Sequence, residues 1–205
     1  FNLPAILRAS KDRPIFLCEG EKDAIRLIRL GYLATTVPMG SGKWRASYTE
    51  TFRGRHVYIF PDFDKPRLGL DDPAANPGFD GARKIARELV GVTAAVRIVY
   101  LPNPDGKLIP KWDVSDWIDH QLASGKSEQD IKDQIVQTCL ESELLTAGHS
   151  GLNPAGRTSS DSPNSSVNFE LITDPALQHP QGSGTTLPVT TSIATATDPS
   201  SSTIT

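Results

Sequence analysis

Ile15-Phe16-Leu17-Cys18-Glu19-Gly20-Glu21-Lys22-Asp23 and Val57-Tyr58-Ile59-Phe60-Pro61-Asp62-Phe63-Asp64 share one design, a short apolar run that breaks into acids. Runs this short and this apolar read as strands buried on both faces. Open α/β sheets bind their ligands outside the C-terminal ends of such strands, so Glu19, Asp62 and Asp64 are expected to meet in one crevice. Asp62 and Asp64 stand two residues apart, and in an extended chain both side chains leave on the same side. Two unit charges about 4 Å apart repel by roughly 4 kcal/mol at an effective dielectric near 20. A pocket of three carboxylates therefore calls for a cation, and oxygen-only ligands favour magnesium or manganese over zinc.

Outward from this core, Gly20 allows a tight turn, and Ala24, Ile25, Leu27, Ile28 and Leu30 give a helix closed by Gly31. Glu21 suits the start of that helix; Asp23 reads equally well as a helix-start acid or as part of the acidic site. Residues 33–37 alternate as a second strand and run into Pro38-Met39-Gly40-Ser41-Gly42-Lys43-Trp44. A phosphate-binding P-loop would need Gly at 37 and Ser or Thr at 44, where Val and Trp stand, so that motif is rejected. Lys43, with Arg45 beside it, reads either as a phosphate or nucleic-acid contact or as a solvated lysine on a turn. Residues 46–52 form a short helix in this reading, and Arg45, Arg53 and Arg55 are the nearest approach to a basic patch.

Residues 65–78 make a long loop beside the acids, and loops of that length are often binding loops or lids. Residues 79–89 show a helical stripe of Ala82, Ile85, Ala86 and Leu89, with Arg83, Lys84, Arg87 and Glu88 outside. Residues 95–101 are a fourth strand. Asp113 and Asp116 precede Trp117, where either acid can cap a helix. Ser127 and Asp130 pair as a cap for a last helix over 127–145, whose buried stripe is Ile131, Ile135, Cys139 and Leu140. Leu3, Ile6 and Leu7 predict one short apolar helical face at the start. The alternation predicts a doubly wound, mainly parallel, four-stranded α/β sheet of Rossmann-like type.

Composition divides the chain. Of 205 residues, those from about 146 onward are mostly Ser, Thr, Pro, Gly and Asn. Such a stretch cannot bury enough apolar area to offset ordering entropy of about 1–2 kcal/mol per residue. Residues 146–205 are expected to be a disordered tail, and 121–145 a helix packed on or next to the main domain. A net charge of −3 argues against a chain that grips DNA unaided. The two cysteines, Cys18 and Cys139, are far apart, which argues against a zinc site and fits a reducing cytoplasm. No apolar run is long enough to span a membrane.

Glu19-Gly20-Glu21-Lys22-Asp23-Ala24, then Gly31, then Asp62-Phe63-Asp64, then Asp113-Val114-Ser115-Asp116-Trp117-Ile118 resembles the Toprim domain of bacterial and phage DNA primases and primase-helicases. The resemblance covers about residues 1–120. It departs from the pattern after Asp64, where an insertion separates the acids from Pro77-Gly78. The resemblance implies a magnesium-dependent nucleotidyltransferase that takes a single-stranded DNA template and nucleoside triphosphates in RNA primer synthesis; an acidic chain offers few phosphate contacts for a template, so it is expected to be inactive when isolated. Glu19 would be an acid-base or metal-positioning group, Asp62 and Asp64 the metal ligands, and Asp113 with Asp116 supporting acids. A helicase or zinc-ribbon domain, in the same or a partner chain, is the implied partner. Toprim sites also serve nucleases and topoisomerases, and a non-catalytic DNA- or partner-binding module is a third class.

Overall fold

The computed structural model describes residues 1–37, 43–64, 76–104 and 109–146. Residues 38–42, most of the long loop after Asp64 and nearly all of the tail lie outside them.

Four strands form one sheet in the order β2-β1-β3-β4, and every pairing is parallel. They are β1 (Ile15–Cys18), β2 (Ala34–Thr36), β3 (His56–Phe60) and β4 (Ala95–Ile98). The helices are α1 (Leu3–Arg8), α2 (Glu21–Arg29), α3 (Ala46–Thr49), α4 (Pro77–Leu89), α5 (Val114–Ala123) and α6 (Glu128–Glu141), and a 3₁₀ turn, Glu50–Phe52, follows α3.

Alternation along the strands builds two cores. Phe16, Cys18, Tyr58 and Phe60 point to one face, under α2, α5 and α6. Ile15, Leu17, Val57 and Ile59 point to the other, under α1 and α4. Each large side chain buried this way contributes about 1.5–3 kcal/mol, so apolar strands at the centre of the sheet are the main source of its stability. Phe16 is the hub of the first core, with ring centroids 4.5 Å from Tyr32 and 5.5 Å from Phe60. Ile131, Ile135 and Cys139 of α6 belong to this same cluster.

Both sheet edges are covered by flanking segments, which removes the open ladder that invites intermolecular pairing. At β2, Asn2 Nδ2 donates to the Ala34 carbonyl and Thr35 Oγ1 to the Phe1 carbonyl. At β4, Leu144 bridges Arg97 in antiparallel sense, and the Leu145 N–H donates to the Val96 carbonyl at 3.0 Å.

Arg55 is not part of a basic patch. It is 2 % exposed, and its guanidinium donates to the carbonyls of Ser10 (2.7 Å), Ile6 (2.8 Å) and Ala9 (2.9 Å). These carbonyls lie in and just beyond the last turn of α1, where the helix leaves acceptors unsatisfied. Burial holds the guanidinium below its ordinary pKa, and Asp12 partly offsets this. Arg55→Met is therefore expected to cost about 3 kcal/mol, read from a urea midpoint, because three carbonyls, that of Ile6 buried, lose a charged donor. Arg55→Lys should recover little, since an ammonium lacks the planar fork that reaches all three. A midpoint for Arg55→Met equal to wild type would contradict this role. Arg53, by contrast, is exposed and pairs with Glu50 at 2.6 Å.

Several sequence expectations shift in detail. In α1 the buried residues are Ala5 and Ile6, while Leu7 is 65 % exposed, because a six-residue helix shows only one turn to the core. Arg83 lies inward on α4, pairing with Asp80 at 3.0 Å and covering the Phe79 ring. The last helix stops at Glu141 so that residues 144–145 can turn back to the β4 edge, and Leu140 is exposed. The Ser127–Asp130 capping box forms as expected. Among the described residues no helix is long and apolar enough to cross a membrane.

Candidate functional site

Cys18 pairs with Phe60, so the chain leaves β1 at Glu19 beside the point where it leaves β3 toward Asp62. From β1 the chain crosses through α2 on one face to reach β2; from β3 it crosses through α4 on the other to reach β4. The crossovers diverge between β1 and β3, and this opens a crevice at their C-terminal ends. Two hollows, each about the size of one water, flank those ends, one lined by Phe60, Phe63, Trp112 and Asp113, the other by Cys18, Glu19, Val37 and Gly78.

Each acid is held by a different device. The Glu19 carbonyl accepts the Thr36 hydroxyl at 2.7 Å, which ties the end of β1 to β2. Gly20 is the N-cap of α2, and a Cβ there would lie 3.2 Å from Asp23 Oδ2, so Asp23 folds back over it. Asp23 is 3 % exposed and accepts a hydrogen bond from Ser115 Oγ. Burial raises its pKa; the Ser115 hydroxyl opposes that rise and the charge of Asp113 adds to it. Asp23 thus faces α5 rather than solvent at the helix start.

Asp113 and Asp116 form the capping box of α5: the Asp116 N–H donates to Asp113 Oδ1 at 2.9 Å, and the Asp113 N–H to Asp116 Oδ2 at 3.4 Å. The other oxygen of Asp113 pairs with Lys22 Nζ at 2.7 Å, and this hydrogen bond raises the lysine pKa. A one-residue antiparallel bridge brings the turn into place. The Phe63 N–H donates to the Trp112 carbonyl at 2.8 Å, so Asp113 follows directly from a residue paired to the segment of Asp62 and Asp64.

Asp64 is fastened through its backbone. Asn76, 0 % exposed, accepts the N–H groups of Asp64 and Gly78, each at 3.1 Å, and donates its Nδ2 to the Asp64 carbonyl. Gly78 lies against the carbonyl of Asp62 so closely that a Cβ would fall 1.9 Å from that oxygen.

Charge converges on Asp62. Its pKa is pushed up to about 7, first by burial and then by the negative charges of Glu19, Asp23, Asp113 and Asp64. Burial together with Asp23, Asp62 and Asp113 also drives the Cys18 thiol upward. A carboxylate so placed lowers its energy by taking a proton or by sharing a cation. The donors are all oxygens, which fits a hard divalent ion rather than zinc. Among the described residues, no three His, Cys, Asp or Glu side chains already form a cage around a metal position.

No family model matches this sequence, and no curated protein matches it.

Lys43 and Arg45 are both exposed on the segment between β2 and α3. Trp44 between them turns inward, donating Nε1 to Thr49 Oγ1 at 3.0 Å and meeting Tyr48 edge-on at 5.8 Å between ring centroids. This anchor leaves the two cations in solvent without a described tie to the carboxylates.

Three residues at the site were not singled out by pattern: Ser115, Lys22 and Asn76. Ser115 and Lys22 reach their partners only through the docking of α5 on α2, which sequence spacing does not encode. Asn76 did carry a local signal, since Asn-Pro-Gly places a good N-cap before a proline at the first helical position.

Proposed function

We propose that this chain is a Toprim-type module of a DNA primase or primase-helicase-like replication protein, carrying out magnesium-dependent nucleotidyl transfer in RNA primer synthesis in the cytoplasm. The observation that supports it most is the focusing of Glu19, Asp23, Asp64 and Asp113 on a half-buried Asp62 at the β1/β3 switch point. The order and strand context of these acids are those of the resemblance. Glu19, Asp62 and Asp64 would hold magnesium or manganese, which when bound supplies positive charge to a nucleoside triphosphate and to the charge developing during in-line transfer. The chain's own residues orient that site: Ser115 fixes Asp23, Lys22 and the α5 cap fix Asp113, and Asn76 fixes Asp64. Lys43 and Arg45, exposed on the segment that follows β2, are the cations that would contact phosphate.

Calorimetry with manganese tests the site. Asp62→Asn and Asp64→Asn should each weaken binding at least tenfold, since losing an outer-shell partner alone costs a metal site about ten- to a hundredfold, and equal binding by wild type and the double variant would sink the reading. The reaction is tested by primer synthesis on single-stranded DNA. The isolated chain should be inactive, because template capture needs basic and stacking surfaces that an acidic chain does not supply, and a zinc-ribbon or helicase partner should restore activity that Asp64→Asn abolishes. Strand cleavage in the same assay points to the nuclease class; neither activity, with DNA or partner binding retained, points to a binding module.

A further inference from the structure

We propose that Asn76 is the positioning residue of this site: its buried amide clasps both backbone groups of Asp64 to the first turn of α4 and so sets the turn that carries Asp62 and Asp64. The proposal rests on the reading of these carboxylates as ligands of a divalent cation, and it deepens that reading by naming what holds them.

An N-cap requires only one acceptor for an N–H of the first turn. Asn76 does more. Its Oδ1 serves that role toward Gly78 N–H at 3.1 Å and also takes the Asp64 N–H at 3.1 Å, while its Nδ2 donates to the Asp64 carbonyl. The side chain therefore pairs with Asp64 in both directions, as a neighbouring strand would, just where β3 has ended and no ladder continues on that side. The side chain is wholly buried, so water cannot substitute for any of the three bonds without a rearrangement. Gly78 completes the clasp: with no Cβ, its backbone packs on the Asp62 carbonyl, two residues before the group that Asn76 holds. The three residues from the N-cap to the second position of α4 thus fix the chain at both Asp62 and Asp64. On the other side, Phe63 between them is bridged to Trp112, so the three-residue turn is fixed from two directions.

Asn76→Ala removes cap and clasp together and is expected to lower stability as well as metal affinity. Asn76→Ser separates the two. Serine is as good an N-cap as asparagine, yet its hydroxyl is too short to pair both ways with Asp64. The full chain carrying Asn76→Ser should melt above Asn76→Ala because it keeps the cap, exchange the Asp64 amide proton at least tenfold faster than wild type, and bind manganese about tenfold more weakly, in line with loss of an outer-shell partner. Serine equal to wild type in both amide exchange and manganese affinity would show that Asn76 is a helix cap and nothing more, and would overturn the proposal. Faster exchange with unchanged manganese affinity would also overturn it, since the clasp would then hold the backbone without setting the ligands. If wild type binds no manganese at all, the cation reading fails separately. The clasp is then judged on the backbone chemical shifts of Asp62, Phe63 and Asp64, which must move together in Asn76→Ser for it to stand.

Discussion

Replacing Asp62 with Asn is expected to make the metal-free protein more stable at neutral pH, and adding manganese is expected to reverse that ranking. Asp62 has its pKa raised from an ordinary 3.8 to about 7 by burial and by four neighbouring carboxylates. The sign follows from proton counting. Below about pH 4 the group is protonated in both folded and unfolded chains and contributes nothing. Between about 4 and 7 the unfolded chain loses the proton while the folded chain keeps it, so stability falls as pH rises, and above about 7 the full penalty is present. At about 1.4 kcal/mol per unit the shift corresponds to about 4 kcal/mol, and screening at a crevice open to water reduces this to about 2. Asparagine keeps the shape without the charge. In chelator at pH 8, Asp62→Asn should therefore melt several degrees higher, while at pH 4 the two proteins should coincide. Saturating manganese at one hundred times its dissociation constant should add about 2.7 kcal/mol to wild type and far less to the variant. A variant that is less stable than wild type at pH 8 in chelator would refute the electrostatic account. A ranking that manganese leaves unchanged would refute the cation.

The same carboxylates show what the sequence makes legible. Apolar runs ending in acids locate β1 and β3 because a strand buried on both faces admits little else, and the acids at their ends follow from the parallel sheet. The capping boxes at Asp113 and Ser127 were likewise readable, since they depend on spacing within one turn. Residues whose roles depend on long-range docking were less readable. Arg55 resembles any surface arginine until α1 lays its last carbonyls across it, and Arg83 sits on the polar side of its helix by pattern yet lies buried beside Phe79. Asp23 could be a helix-start acid or an inward one; only the arrival of Ser115, 92 residues away, decides for the inward position. Periodicity and spacing record local preference, whereas these partners are chosen by how elements pack.

Gly78→Ala is expected to be among the most damaging single substitutions in the molecule, although helix propensity alone predicts the opposite. In an exposed helix the change from Gly to Ala is worth about 1 kcal/mol of stabilisation. Here the added Cβ would stand 1.9 Å from the Asp62 carbonyl oxygen, 3.0 Å from its carbon and 3.4 Å from Asn76 Oδ1. The first two are backbone atoms, so no rotamer change relieves the contact. Either α4 moves away from the sheet, stripping Ala82, Ile85 and Leu89 from the second core, or the turn at Asp62 moves and drags both carboxylates with it. Overpacking of this kind costs about 3 kcal/mol or more where the neighbour cannot yield, which exceeds the propensity gain severalfold. Gly20→Ala provides the contrast at the other strand end: its Cβ would meet only the tip of the Asp23 side chain, at 3.2 Å. That carboxylate can shift by a few tenths of an ångström, so a loss of about 1 kcal/mol or less is expected there. Urea unfolding of the two variants should therefore separate them clearly. Of the two, Gly78→Ala should also lose manganese affinity, because the backbone it displaces carries Asp62. A Gly78→Ala protein as stable as wild type would mean that α4 does not press on the Asp62 turn, and the close approach that fixes the acidic site would have to be abandoned.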